Sequence, residues 1–185
     1  MYFYLFVLPC LLLALQHSFL PTVFGVQVMY EHFRQINGTD LLDASSVRIR
    51  KLNRTTSAMN GTFILKEPLD NSYKIGISVY YSRLGNNQFI HYPMKVPSIG
   101  VCDFFSEIYP TYYPYLKEGV VNFPPTTECP LTPKVVYIRD YVVSPFLVPP
   151  FVPKGLWRVR LTLTHNEEAV VITDTMSKLY SDLDW

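Results

Sequence analysis

Two stretches of strict two-residue alternation constrain this chain more than any other feature. Tyr73, Ile75, Ile77, Val79 and Tyr81 alternate with Lys74, Gly76, Ser78, Tyr80 and Ser82. Trp157, Val159, Leu161 and Leu163 alternate with Arg158, Arg160, Thr162 and Thr164. Side chains of a strand point to opposite faces in turn, so each stretch predicts a β-strand. The second has one wholly apolar face and one polar face. A helix would scatter the same apolar residues around its circumference. One-sided strands must cover their apolar faces, and a second sheet packed face to face does so.

The remaining segments read in the same way. Val26 to Tyr30 suits a first strand, and Asn37 to Ser45 is a polar loop. Val47, Ile49 and Leu52 interleave with Arg48, Arg50 and Lys51. That pattern is a half-buried strand, and it makes the run of cations a solvated face. Phe63-Ile64-Leu65 is a short apolar run, preceded by a turn at either Thr55-Thr56-Ser57 or Asn60-Gly61. Pro68-Leu69-Asp70-Asn71 is a turn. Gly85-Asn86-Asn87 closes the first alternating strand, and Phe89 to Val96 returns as its hairpin partner. Strands are also expected over Val135 to Val143 and Ala169 to Met176, with His165-Asn166-Glu167-Glu168 as the turn before the last.

The period changes at Ser98. Val101, Phe104, Phe105 and Ile108 stand at i, i+3, i+4 and i+7, one face of a helix. Ser98 is placed to cap it and Pro110 to stop it. Thr111 to Glu118 adds a short helical turn. Pro145, Pro149, Pro150 and Pro153 cannot occupy a central strand, so they mark an edge or a crossover. The expected architecture is all-β: a two-sheet sandwich with a short helical insertion. It forms one domain over residues 26–185, ending in a loose tail from Ser181 to Trp185.

The first 25 residues contain no Asp, Glu, Lys or Arg, and Leu5 to Leu15 is an apolar run broken at Pro9 and Cys10. Val23-Phe24-Gly25 offers a cleavage point, so residues 1–25 read as a secretory signal peptide. A retained anchor is the alternative, although Pro9, Gln16, His17, Ser18 and Pro21 make a poor spanning helix. Three Asn-x-Thr acceptors follow, at Asn37, Asn53 and Asn60, and predict glycosylation. Cys102 and Cys129 are the cysteines left beyond the leader, and an oxidising route predicts a bridge between them. All three features point to secretion.

Charge excludes one class of partner. The chain carries 16 Lys and Arg against 15 Asp and Glu, a net charge of +1, with none of the basic excess of a nucleic-acid binder. Catalytic patterns are equally missing. His32, His91 and His165 share no metal-ligand spacing with one another or with the cysteines, so no metal site is expected. Gly76-Ile77-Ser78-Val79-Tyr80 lacks the second glycine of a nucleophile elbow, and there is no glycine-rich phosphate loop. The chain reads as a binding protein without a cofactor, not as an enzyme.

Several short motifs resemble a large insect family of small secreted proteins. That family includes the chemosensory B (CheB) proteins and is related to the ML lipid-recognition domain. The resemblance covers about Ser46 to Leu179. It rests on Leu52-Asn53-Arg54-Thr55, the strand around Ile75-Gly76-Ile77, Gly100-Val101-Cys102-Asp103-Phe104, Cys129-Pro130 and Pro153-Lys154-Gly155-Leu156-Trp157. It implies an immunoglobulin-like, ML-type sandwich that holds a lipid or other hydrophobic ligand between its sheets, in some members for chemical sensing. Many members carry further cysteines in the N-terminal half, and this chain has none there.

The expected function is therefore that of a secreted carrier or chemosensory accessory. Its partners would be a hydrophobic small molecule or lipid and, for an accessory, a membrane receptor. Ile75, Ile77, Val79, Phe104, Phe105, Ile108, Trp157, Val159 and Leu161 are the candidate ligand-lining residues. An apolar cavity bordered by Phe104, Phe105, Ile77 and Trp157 is expected. The alternative is an extracellular protein–protein interaction module whose core is filled, in which Phe104 and Phe105 simply pack the helix on the sheet.

Overall fold

The two alternating stretches lie side by side as antiparallel partners, Ile75 opposite Leu163, Ile77 opposite Leu161 and Val79 opposite Val159. They do so in a computed structural model that describes residues 26–149 and 151–181. The expected signal peptide over 1–25, and the tail beyond Ser181, lie outside the described residues. The strands are β1 (Val26–Asn37), β2 (Leu42–Asp43), β3 (Arg48–Lys51), β4 (Ser57–Leu65), β5 (Tyr73–Ser82) and β6 (Ile90–Gly100). A helical segment, α1, covers 101–116. It is followed by β7 (Val120–Val121), β8 (Lys134–Tyr141), a 3-10 turn (Pro145–Leu147), β9 (Gly155–His165) and β10 (Glu168–Ser181).

One sheet has the order β1-β10-β9-β5-β6, and the other has β2-β4-β8-β7 with β3 also paired to β4. Every pairing is antiparallel. This is the all-β two-sheet sandwich with a short helical insertion that the alternation predicts. The proline-rich stretch carries the chain from β8 in one sheet to β9 in the other, a crossover.

Two expectations about local signals are corrected. Ser98 does not cap the helix, because β6 continues through Gly100, opposite Lys74. Asn71 caps it from the turn before β5: its Oδ1 accepts from the backbone N–H of Cys102 at 2.9 Å and of Asp103 at 3.3 Å. Pro110 does not stop the helix either. Phe104–Ile108 forms a wide π turn in which the Tyr109 N–H reaches the Phe104 carbonyl, five residues back. A proline disrupts an α-helix through its missing N–H and its clash with the carbonyl four residues earlier. The wider turn shifts that ladder by one residue, and the helix runs on over Tyr109–Leu116.

The turn before β4 lies at 52–56, where the Leu52 N–H bonds the Thr56 carbonyl at 2.9 Å. Asn60-Gly61 instead sits inside β4 at a register shift. Asn60 exchanges two hydrogen bonds with Asp140, both of 2.9 Å, so its amide braces β4 to the end of β8. Gly61 has φ 137°, and a Cβ there would lie 2.7 Å from the Val47 Cα. The dipeptide serves a close backbone approach, for which only glycine leaves room.

On the outer face of the larger sheet Asp174 is fully buried. Arg160 donates to its two oxygens at 2.7 and 2.8 Å, and Arg34 stands 3.8 Å away. Arg158 lies over the rings of Tyr80 and Phe89 at 4.3 and 4.6 Å. Cys102 and Cys129 are joined, with Cα atoms 5.5 Å apart. The bridge ties the start of α1 to the loop before β8.

Two outcomes follow from these contacts. Removing the bridge in a Cys102→Ser, Cys129→Ser protein lowers unfolding free energy by about 3 kcal/mol, from the 27-residue separation. Urea titration measures the loss, and an unchanged midpoint contradicts it. Asp174→Ala leaves Arg160 without its carboxylate and costs about 2 to 3 kcal/mol, the partial exposure of Arg160 keeping the loss at the low end of the range for buried pairs.

Candidate functional site

The candidate site is the inner face of the β5–β9–β10 unit. Toward the disulfide end, Ile75, Leu163 and Val171 pack with Val101, Leu65 and Leu131, and Phe104, Phe105 and Leu161 lean on this cluster. Toward the other end, Val79, Trp157 and Leu179 pack with Val28 and Val152, joined by Ile77, Tyr81 and Tyr92. A third cluster of Tyr30, Met59, Ile138 and Tyr141 fills the space beside β1 and β4, with Phe33 and Phe63 on its border.

Between these clusters the inner face is poorly covered. Val159 is paired on both sides, with Val79 and with Thr175. Its side chain belongs to the same face as Trp157 and Leu163, yet it is 37% exposed. Its neighbours along this face, Ile77, Leu161 and Phe33, are half-buried, as is Phe63, which reaches Phe33 from the opposite sheet. An inward valine in the middle of a sandwich strand is ordinarily buried. Thr173, buried, and Thr175, half-buried, lie opposite Leu161 and Val159 on the same face, at the border of this apolar strip. Such a strip with a few polar groups at its border is the composition of a site for an apolar ligand.

The nine predicted lining residues thus divide. Ile75, Phe104, Phe105 and Leu161 belong with one cluster, and Ile77, Val79 and Trp157 with another. Val159 lies between them, and Ile108 is half-buried on the π turn. The rings are fixed by one another. Phe104 and Phe105 meet edge to face at 5.7 Å, and Trp157 packs against Tyr81 at 4.6 Å and Tyr92 at 4.8 Å. Sequence reasoning missed Phe33 and Phe63, which meet edge to face at 5.9 Å across the sheets. The alternation of β1 that would have marked Phe33 is broken by a register shift between Tyr30 and His32.

The electrostatics near this face are those of neutral phenols. Tyr141 is buried, its hydroxyl has no hydrogen-bond partner among the described residues, and burial together with Glu118 pushes its pKa up to about 12. Burial, reinforced by Tyr141, also raises Tyr30 well above the ordinary phenol value. Both stay protonated at physiological pH and can donate a hydrogen bond. Among the described residues no group of His, Cys, Asp and Glu is placed to hold a metal ion.

Two clefts open elsewhere, on the outer side of the larger sheet. One, of about 670 Å³, lies among Glu31, Arg83, Leu84 and Leu156, and the other, of about 580 Å³, lies among Met29, Lys51, Leu52 and Arg54. They share Glu31 and Lys178, and none of the nine predicted residues lines either.

A family model described as a protein of unknown function (DUF1091) matches residues 75–159. The matched stretch begins at Ile75 on β5, contains β6, α1, β7 and β8, and ends at Val159 on β9. It therefore takes in both halves of the disulfide and eight of the nine candidate lining residues, leaving out Leu161. A comparison with curated proteins found no match.

Proposed function

We propose that the protein is a secreted binder of a hydrophobic small molecule or lipid, held between its two sheets beside Val159. The carrying observation is the 37% exposure of that inward-facing valine on a strand paired on both sides. An uncovered apolar strip flanked by packed clusters gains free energy when a ligand removes it from water, at about 25 cal/mol per Å². Thr173 and Thr175 supply polar anchors for a headgroup. The motif resemblance to the chemosensory B proteins and the ML lipid-recognition domain supports the same reading. It adds a role as a carrier or accessory to a membrane receptor.

The test is uptake of a fluorescent fatty acid by purified secreted protein, with mass spectrometry of its extract to identify bound material. Val159→Trp fills the strip. It is expected to abolish uptake while leaving the unfolding free energy from urea titration within about 0.5 kcal/mol of the parent, as for a substitution into open space. If the parent takes up no probe and Val159→Trp destabilises by more than about 2 kcal/mol, the site is already filled by side chains and the reading fails.

Secretion carries a second expectation, because the three acceptors differ in their surroundings. Asn53 stands in the exposed β3–β4 loop, with its Oδ1 accepting from the Thr55 N–H and hydroxyl at 2.8 and 3.1 Å. Asn37 is exposed at the end of β1. Asn60 lies within β4 between two partner strands, its amide engaged by Asp140. Asn37→Gln and Asn53→Gln should each remove one endoglycosidase-sensitive step of gel mobility from secreted protein. Asn60→Gln should remove none.

A further inference from the structure

Among the described residues the most exposed large apolar side chains are Phe146 at 83%, Leu84 and Phe151 at 71% and Ile90 at 66%. All four come from one end of the sandwich. Leu84 is in the β5–β6 turn, Ile90 opens β6, and Phe146 and Phe151 project from the β8–β9 crossover. These segments share one end: Ser82 lies opposite Leu156 in one sheet and Met59 opposite Tyr141 in the other, and Val143 and Val148 of the crossover pack on the cluster of Val79 and Trp157. The β3–β4 loop is there too, tied down by the Tyr180 hydroxyl, which donates to the Thr55 carbonyl.

The loops of this end carry an excess of positive charge. Residues 51–56, 83–91 and 141–154 contain no Asp or Glu and carry Lys51, Arg54, Arg83 and Lys154; Glu31 lines the clefts beside Lys51, Arg54 and Arg83, together with Lys178. The chain as a whole is nearly balanced, at +1. Exposed leucine and phenylalanine side chains on loop tips, ringed by cations that outnumber the one acid beside them, Glu31, complement a surface that is apolar beneath and anionic on top.

We propose that this end docks on an anionic lipid bilayer, with Phe146, Phe151, Leu84 and Ile90 entering the headgroup boundary and Lys51, Arg54 and Arg83 meeting lipid phosphates. A bilayer fits better than a protein partner because the four apolar side chains are spread over separate loop tips. A protein hot spot would gather them at a packed centre. The proposal does not depend on what occupies the space beside Val159.

The experiment is co-sedimentation of secreted protein with vesicles of phosphatidylcholine alone or mixed with phosphatidylserine. A glycan on Asn53 would stand beside this end, so the protein is first trimmed with an endoglycosidase under native conditions. Binding should require phosphatidylserine and weaken with added salt. Arg83→Gln should lower the partition coefficient roughly fivefold. Phe146→Ser with Phe151→Ser should lower it roughly tenfold or more. Phe146 stacks on Tyr115 at 6.2 Å, so Leu84→Ser with Ile90→Ser, which leaves that contact in place, is the parallel variant and should also lose binding. Val159→Trp should bind vesicles as the parent does, which separates this test from that of ligand uptake. The proposal is overturned if the parent ignores phosphatidylserine vesicles, if both double variants bind them normally, or if the parent is instead a dimer that the double variants dissociate.

Discussion

The register of β9 between β5 and β10 is the constraint on which the rest depends. Because side chains alternate, a slip of one residue would turn Trp157, Leu161 and Leu163 out to water and bring Arg158 and Arg160 into the core. Both faces oppose that slip. On the inner face Leu163 meets Ile75 and Val171, and Trp157 meets Tyr81 and Tyr92. On the outer face Arg160 grips the buried carboxylate of Asp174 with two hydrogen bonds from the neighbouring strand. An isolated surface ion pair would contribute little, but a fully buried carboxylate pays heavily for any register that leaves it unpaired.

With the register fixed, the strand faces could be read from the sequence, and much of the fold with them. Tyr73 to Ser82 and Gly155 to His165 form strands where their alternation places them, and the prolines between β8 and β9 mark a crossover. Legibility fails where the deciding contact is remote in sequence. Nothing local to Ser98 announces that Asn71, from another element, caps the helix. Nothing local to Pro110 announces a π turn, because a proline's effect depends on which carbonyl the preceding turn has left in its path. Asn60-Gly61 is a strong turn signal by composition. Its fate was set by Asp140, eighty residues away, and by the passage of Val47 against its backbone.

The candidate site was legible to the same extent. Apolar strand faces identified Ile75, Ile77, Val79, Trp157, Val159 and Leu161 as inward, but alternation assigns a face and says nothing about what lies opposite it. Val159 and Val79 are indistinguishable by pattern, and they are direct neighbours across the ladder. One is exposed and the other buried, because the residues covering them come from β6 and the crossover rather than from their own strands. Phe33 was hidden by a bulge that breaks the phase of β1.

The two ends of the sandwich differ in a way that bears on both proposals. At one end the bridge holds α1 to the loop before β8, Leu69 and Leu131 exchange backbone hydrogen bonds of 3.0 and 2.8 Å, and Glu128 accepts from Lys134 and Thr132. That end is cross-linked between elements far apart in sequence, so separating the sheets there would break several contacts together. The opposite end has no covalent bridge among the described residues and is closed by side-chain packing of Val152, Trp157, Tyr92 and Leu179 and by hydrogen bonds from the Tyr180 hydroxyl to the Thr55 carbonyl and from the Ser57 hydroxyl to the Tyr30 carbonyl. Packing contacts yield individually, whereas a covalent bridge and a paired backbone do not. A ligand held beside Val159, as proposed, would enter from the end without the covalent bridge, which carries Phe146, Phe151 and the cations. The two proposals then converge on one end of the sandwich: the loops proposed to meet a lipid surface would be those that part to admit a molecule drawn from it.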